Sequence, residues 1–152
     1  MSVIIQGDQL RTVALGTKAS KASGAISGDP TITAFTVTGG DVLITALWLN
    51  VTTTIAAAGG TLAVAGNPTT GDTQTIVTAT DLGTTDTAAG SVVGLTRGTT
   101  AASAFLRGGS VELGAVVTTG TVELIGASSV DGAVTLNVCW IPLTSGASLV
   151  AA

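Results

Sequence analysis

The sequence contains no histidine and no tyrosine, only one cysteine, and only 9% charged residues over its 152 positions. Acid–base and nucleophilic catalysis need titratable side chains or activated nucleophiles held close together, and these residue types are scarce here. A serine without a histidine cannot form the usual nucleophile–base pair. These absences argue against an enzyme, and we expect no catalytic residues.

The single cysteine, Cys139, rules out an internal disulfide and a zinc site of the Cys/His type. It lies in the apolar run 136–141, where a free cysteine usually packs as a small hydrophobic residue. No glycine run is followed by the Lys-Ser/Thr of a phosphate loop. A calcium site from Asp72, Asp81 or Asp86 lacks a known ligand pattern, and turn formation explains these acids more simply. We expect no metal and no cofactor.

Long hydrophobic runs are also missing, although the mean hydropathy is +0.65. The charge-free stretch 42–71 is broken by Asn50, by Gly59-Gly60 and by Asn67-Pro68. No run therefore approaches the roughly 18–20 apolar residues of a membrane-spanning helix. The first residues lack a basic leader and a long apolar segment, so neither a signal peptide nor a membrane partner is expected.

Charge is low and unevenly placed along the chain, with a net value of −4. Residues 1–28 carry three cations (Arg11, Lys18 and Lys21) and one acid, whereas the remainder carries two cations and eight acids. An acidic body argues against nucleic-acid binding, which needs a basic face. The basic start suits docking on an acidic protein surface, and a solvated tail is the alternative.

The residues that are abundant are threonine, valine, alanine and glycine, in short alternating runs that predict strands joined by many turns. The chain length fits one domain with a core of its own. Because aromatics make up only 3%, that core must consist mainly of small aliphatic side chains. Recurrent Thr-x-Thr pairs have no regular period, so strand propensity explains them better than an ice-binding surface. The expected core anchors are Phe35, Trp48, Phe105 and Trp140.

We predict an N-terminal arm over residues 1–27 and a β-domain over 28–152. Within the arm, 3–5 and 11–15 could form short strands, while 16–24 has the composition of an extended linker. Arms of this kind often become ordered against a partner.

Two features organise the predicted body. The stretch 42–53 predicts a long strand with apolar residues on both faces, which indicates a second covering layer or subunit. One face would carry Leu43, Leu47, Leu49 and Val51, and the other Val42, Ile44, Ala46 and Trp48. The runs 121–127 and 133–143 flank an Asp131-Gly132 step and predict a hairpin. Short strands at regular spacing predict a sandwich or a barrel.

Several segments of the sequence are similar to those of a known group of proteins. It resembles small virion proteins of tailed bacteriophages, of the kind encoded near the capsid genes, over roughly residues 25–150. The motifs that carry the resemblance are Ala-Phe-Thr-Val-Thr-Gly-Gly at 34–40, Val-Leu-Ile-Thr-Ala-Leu at 42–47, Ala-Gly-Asn-Pro-Thr-Thr-Gly at 65–71, Gly-Thr-Val-Glu-Leu at 120–124 and Val-Cys-Trp-Ile-Pro-Leu at 138–143.

The resemblance implies a capsid decoration (cement) protein, an all-β, jelly-roll-like sandwich that binds the outer surface of the phage head, often as a trimer. Its partners would be the major capsid protein and further copies of itself. It would be assembled in the host cytoplasm and remain in the virion. The expected capsid contacts are Ile4, Ile5, Arg11, Lys18 and Lys21. The alternative is a tail, neck or fibre component that adheres to the host surface, which an expected burial of Trp48 and Trp140 disfavours.

Overall fold

The computed structural model describes residues 7–97, 103–110 and 112–152. Within them one short helix, α1 (Gly7–Leu15), precedes eleven strands, which confirms the predicted all-β class. The strands are β1 (Thr17–Ala22), β2 (Thr31–Thr38), β3 (Val42–Thr53), β4 (Thr61–Pro68), β5 (Gln74–Asp81), β6 (Val92–Arg97), β7 (Ser103–Arg107), β8 (Glu112–Val117), β9 (Gly120–Ala127), β10 (Ala133–Pro142) and β11 (Ser148–Ala151).

The strands form one strongly curled sheet. Its hydrogen-bonded order is β1-β10-β3-β6-β7-β5-β4-β9-β2-β11, and β8 branches from β3 beside β6. All of these pairings are antiparallel except that between β5 and β7. The two end strands, β1 and β11, approach each other in space. The sheet is therefore a nearly closed, barrel-like structure around a single core.

That core is built mainly from valine, leucine and isoleucine, as the low aromatic content requires. Phe35 and Phe105 are buried in it, whereas Trp140 is half-buried and packs against its edge. Alternating side chains of each strand point inward, which is the ordinary consequence of the pleat. The core lies inside the curl, and the sheet's other side faces outward.

Strand β3 shows why one of the expected anchors, Trp48, needs correction. Cys139 of β10 pairs with Ala46, and the next residue, Trp140, pairs with Ile44, so Thr45 is an extra residue. Such a bulge shifts the alternation by one position. The buried residues of β3 are consequently Val42, Ile44, Leu47, Leu49 and Val51. Leu43, Ala46 and Trp48 lie together on the outer side and are half-buried.

The predicted hairpin of 121–127 and 133–143 is wrong. Strand β9 pairs with β4 and β2, whereas β10 pairs with β1 and β3. In the connection between them, Ser128 and Ser129 take positive φ values, and the Asp131 carboxylate accepts hydrogen bonds from the backbone of Ala56 and Ala57. These contacts direct the chain across the end of the curled sheet instead of back along β9.

The N-terminal segment is also more structured than an arm. Residues 11–15 belong to α1, so the predicted strand there is wrong; Gln9, Leu10, Arg11 and Ala14 are all good helix formers. Residues 17–22, predicted as linker, pair with β10 from Thr17 opposite Trp140 to Ala22 opposite Thr135. The buried side chain of Ile26 then enters the core. Within the described part of the predicted arm, residues 7–15 form the helix and residues 17–22 form a strand of the sheet.

Candidate docking surfaces

Two surfaces of the described chain group apolar side chains that reach solvent: the helix α1 and the outer side of the sheet around β3. Other exposed large apolar residues are Val92, Leu106, Leu143 and Val150. Every residue of α1 whose exposure is described is exposed. Its three large apolar residues, Leu10, Val13 and Leu15, are 60%, 80% and 59% exposed. A helix of nine residues is marginal in water without packing against another surface. The exposed apolar residues of α1 are therefore positioned to contact another molecule.

The junction between α1 and β1 fixes how the helix leaves the body. Gly16 has φ +83°, in the left-handed region, and its N–H closes the helix on the Thr12 carbonyl at 2.9 Å. A β-carbon at this position would collide with the Trp140 carbonyl. The hydroxyl of Thr45, the bulge residue of β3, lies 2.9 Å from the Leu15 carbonyl oxygen and 3.1 Å from that of Cys139. The bulge thus helps to hold the end of the helix.

The structure does not bring the predicted capsid-contact residues into one patch. Arg11 lies on α1, whereas Lys18 and Lys21 lie on opposite sides of β1. The Lys18 ammonium sits 5.4 Å from the centre of the Trp48 ring, a cation–π contact. The Lys21 ammonium donates to the carbonyl oxygen of Ala152. Ile4 and Ile5 lie outside the described residues.

The second surface, here called the outer face, is the solvent side of β1, β10, β3 and β8. The strand pairings align its residues in rows across the strands. One row is apolar and consists of Ile141, Leu43 and Val116, and the next runs Lys18, Cys139, Ala46 and Glu112. A third row joins Ser20, Asn137 and Trp48. Val116 is 47% exposed, and Lys18 and Glu112 are exposed at the two edges.

A small polar network supports the Trp48 row. Asn137 is buried even though it lies on the outer face, and its carbonyl oxygen accepts from the Ser20 hydroxyl at 2.8 Å. Its amide nitrogen donates to the Thr135 carbonyl at 3.0 Å and lies 3.5 Å from the Asn50 side-chain oxygen. Buried polar groups need such partners, since an unpaired one is costly. Asn137 is therefore engaged in holding the face together.

Cys139 lies near the centre of the outer face. Partial burial raises the pKa of its thiol, and the nearby Lys18 charge opposes that rise. A raised thiol pKa keeps the group protonated at neutral pH, and the thiolate is the reactive form. Cys139 thus contributes apolar surface here and is not an activated nucleophile.

Two acids of the body serve as turn residues. The Asp81 carboxylate accepts from the N–H of Gly59 at 2.8 Å and of Gly83 at 2.7 Å, and the first of these bonds is the main cause of a lowered pKa. The bonds from Ala57 and Ala56 likewise lower the pKa of Asp131. Both carboxylates tie together loops at one end of the sheet.

No metal-binding chemistry emerges from the described part of the chain. Across residues 7–97, 103–110 and 112–152 there is no group of three or more side chains suited to hold a metal ion. Nor does any helix in these ranges have the length and apolar character to cross a membrane. A shallow groove of about 370 Å³ runs beside Asp41, Pro68, Asp72 and Val116, with two carboxylates and no basic side chain among its lining residues. The two apolar surfaces are the candidate site, because they group exposed large apolar side chains.

Comparison of the chain with protein-family models, with curated proteins and with solved structures gave no match. The interpretation of the candidate site therefore depends on the geometry of the described residues alone. The sequence did not single out Leu10, Val13 and Glu112 as exposed residues of the two surfaces, and Trp48 was misplaced. The i, i+3 spacing of Leu10 and Val13 on a short helix was the available signal for the first two.

Proposed function

We propose that the protein is a decoration (cement) protein of a tailed-bacteriophage head, which binds the outer surface of the shell and bridges neighbouring major capsid proteins. The observation that carries the proposal is α1, a short helix that is exposed at every position whose burial is described, bears three large apolar residues and leaves the body at a fixed junction. Such an element is suited to insertion between subunits of another protein. The motif resemblance at 34–40, 65–71 and 138–143 is the reason for proposing a phage capsid protein as this partner.

The mechanism contains no reaction step. The curled sheet is a self-contained body, α1 supplies an apolar contact, and Arg11 on the same helix supplies a positive charge toward an acidic shell surface. Many copies on one head would add weak contacts by avidity and resist expansion of the shell. The finer, jelly-roll-like description of the body belongs to this proposal, and no cofactor or nucleic acid takes part.

Binding to shells made of the cognate major capsid protein alone tests the proposal. Full-length protein should saturate the shells and raise their thermal stability. Replacing both Leu10 and Val13 by serine should weaken attachment at least about ten-fold, since each buried apolar side chain contributes on the order of 1–2 kcal/mol. Leu143→Ser, at a residue 51% exposed outside α1 and the outer face, is the matched control and should bind normally.

Each outcome separates two parts of the proposal. Failure of the full-length chain to bind shells at any concentration would remove the decoration function. Normal binding by the Leu10→Ser/Val13→Ser variant would keep that function but reject α1 as the contact. Unfolding curves of both variants should match that of the natural chain, because none of the three substituted residues lies in the core.

A tail, neck or fibre component that binds host glycans is the second candidate, and one observation favours it. Trp48 is half-buried on the outer face rather than in the core, so part of its ring is open for stacking on a sugar. The polar groups beside it are already engaged, since Asn137 is bonded to Ser20 and Thr135. A glycan array with the natural chain and Trp48→Ala tests this alternative, which requires a signal that the substitution abolishes.

A further inference from the structure

The outer face joins an apolar centre to opposite charges at its two edges. Lys18 on β1, Cys139 on β10, Ala46 on β3 and Glu112 on β8 form one continuous row. Three strand spacings separate the two charged ends, or about 14 Å. The row beside it, from Ile141 through Leu43 to Val116, is entirely apolar. One edge of the face is therefore positive, and the opposite edge is negative.

This arrangement is complementary to itself. A half-turn about an axis parallel to the strands, between β10 and β3, places a second outer face over the first. Residues keep their height along the strands in this operation, so each row meets its own equivalent. Lys18 of each copy then faces Glu112 of the other, and the apolar row faces the apolar row. No other orientation about an axis in the face brings both charges onto opposite charges.

We infer that the outer face binds a second copy of this chain, face to face, with Lys18 of each copy paired to Glu112 of the other. Sheets that pack in this way lie about 10 Å apart, with strand directions within about 30° of each other. Val116, Leu43 and Trp48 supply the apolar contact, and the two charge pairs set the orientation, which is the usual role of charges at the rim of an interface. Lys18 is thereby assigned to contact between copies and not to the shell.

A self-complementary face closes after two copies, because both partners use the same patch. The trimer implied by the resemblance would need two different patches on each copy. The mass of the assembly in solution separates these arrangements. Pairing through the outer face requires no shell, so it stands or falls independently of the decoration function.

The first experiment measures the mass of the purified full-length chain by light scattering and sedimentation over a wide concentration range. The natural protein should be a dimer that dissociates on dilution. Val116→Asp should weaken the dimer at least about a hundred-fold, because it buries a charge in the apolar row. Val150→Asp, at an equally exposed valine of β11 outside the face, should leave the dimer intact. A monomer or trimer for the natural chain, or a normal Val116→Asp dimer, would overturn the inference.

The second experiment exchanges the charges. Lys18→Glu alone and Glu112→Lys alone should each weaken association roughly ten-fold or more, since each creates two like-charge contacts. The double variant Lys18→Glu/Glu112→Lys should restore association, because the opposite pairing is rebuilt with reversed signs. Thermal unfolding checks that each variant is folded. Loss of association in both single variants and in the double variant would contradict the Lys18–Glu112 pairing.

Discussion

The segments on either side of Gly16, α1 and β1, have different roles. Helix α1 is exposed at every position whose burial is described and bears three large apolar residues, whereas β1 aligns six residues with β10 and places Ala19 against the core. Both carry basic residues, so composition alone assigns them to one arm. The difference shows that the boundary between body and projection lies at the residue where the backbone turns left-handed, and not where the basic residues end.

The two sides of β3 show the same contrast within one strand. Its inner side fills the core with Ile44, Leu47 and Leu49, which are fully buried. Its outer side carries Leu43 and Trp48, which are apolar but only half-buried. The inner residues stabilise the fold, and the outer residues are available for contact with another molecule.

The largest expected difference in stability is between truncations that remove β1 and truncations that remove α1 alone of the two elements. Removal of residues 1–22 deletes β1 and its backbone bonds to β10, at about 1 kcal/mol each, so the free energy of unfolding should fall by roughly 3–5 kcal/mol. Removal of residues 1–15 takes away α1 and leaves β1 in place, and it should change the free energy of unfolding by less than about 0.5 kcal/mol. Denaturant unfolding of the two truncated chains measures both values. Equal losses would show that α1 is as integral to the body as β1.

The two sides of β3 should differ by a somewhat smaller amount. Leu47→Ala leaves a cavity in the core and should cost about 2–5 kcal/mol of unfolding free energy. Leu43→Ala, the same change on the outer side, should cost the monomer about 1 kcal/mol or less, because half of the side chain is in contact with water when the outer face is unpaired. Urea denaturation of both variants provides the comparison. A larger loss for Leu43 would mean that the bulge at Thr45 does not shift the alternation as described.

The smallest expected effect concerns Asp131, whose carboxylate bonds to the backbone of the body. The folded pKa of Asp131 lies below its ordinary value of 3.8, because the N–H groups of Ala57 and Ala56 bond to its carboxylate. Its stabilisation is therefore fully present above pH of about 3.8 and is lost as the pH falls through the lower, folded pKa. Asp131→Asn removes the titration, so the stability difference from the natural chain should shrink between pH 5 and about pH 2. A stability difference between the two chains that stays constant over this pH range would reject this role.

The sequence predicted the all-β class because threonine and valine alternate in short runs bounded by glycine. It also predicted a core of small aliphatic residues, since few aromatics were available to fill one. The sequence could not predict which residues of β3 face the core. When both faces of a strand are apolar, alternation does not reveal the one-residue shift at Thr45. The placement of Trp48 in the core followed from that missing shift.

Connections were the other source of error. The Asp131-Gly132 step is typical of a hairpin turn, but the partner of Asp131 is the backbone of Ala56 and Ala57, far away in sequence. Likewise, the short and partly charged run Thr17–Ala22 has weak strand propensity, and its pairing with β10 depends on tertiary contact. Of the candidate site, Arg11 and Lys18 were identified as surface cations, whereas Glu112 gained significance only when β8 aligned with β3.

Amide hydrogen exchange of the full-length chain, alone and bound to shells, tests most directly whether α1 is a docking element attached to a self-contained body. In the free protein, the amides of α1 should exchange within seconds, while those of β1 that bond to β10 should be protected for much longer. On shells, α1 should become protected and the pattern in β1 should stay the same. Rapid exchange of α1 on saturated shells, or equal exchange of α1 and β1 in the free chain, would contradict this division of the molecule.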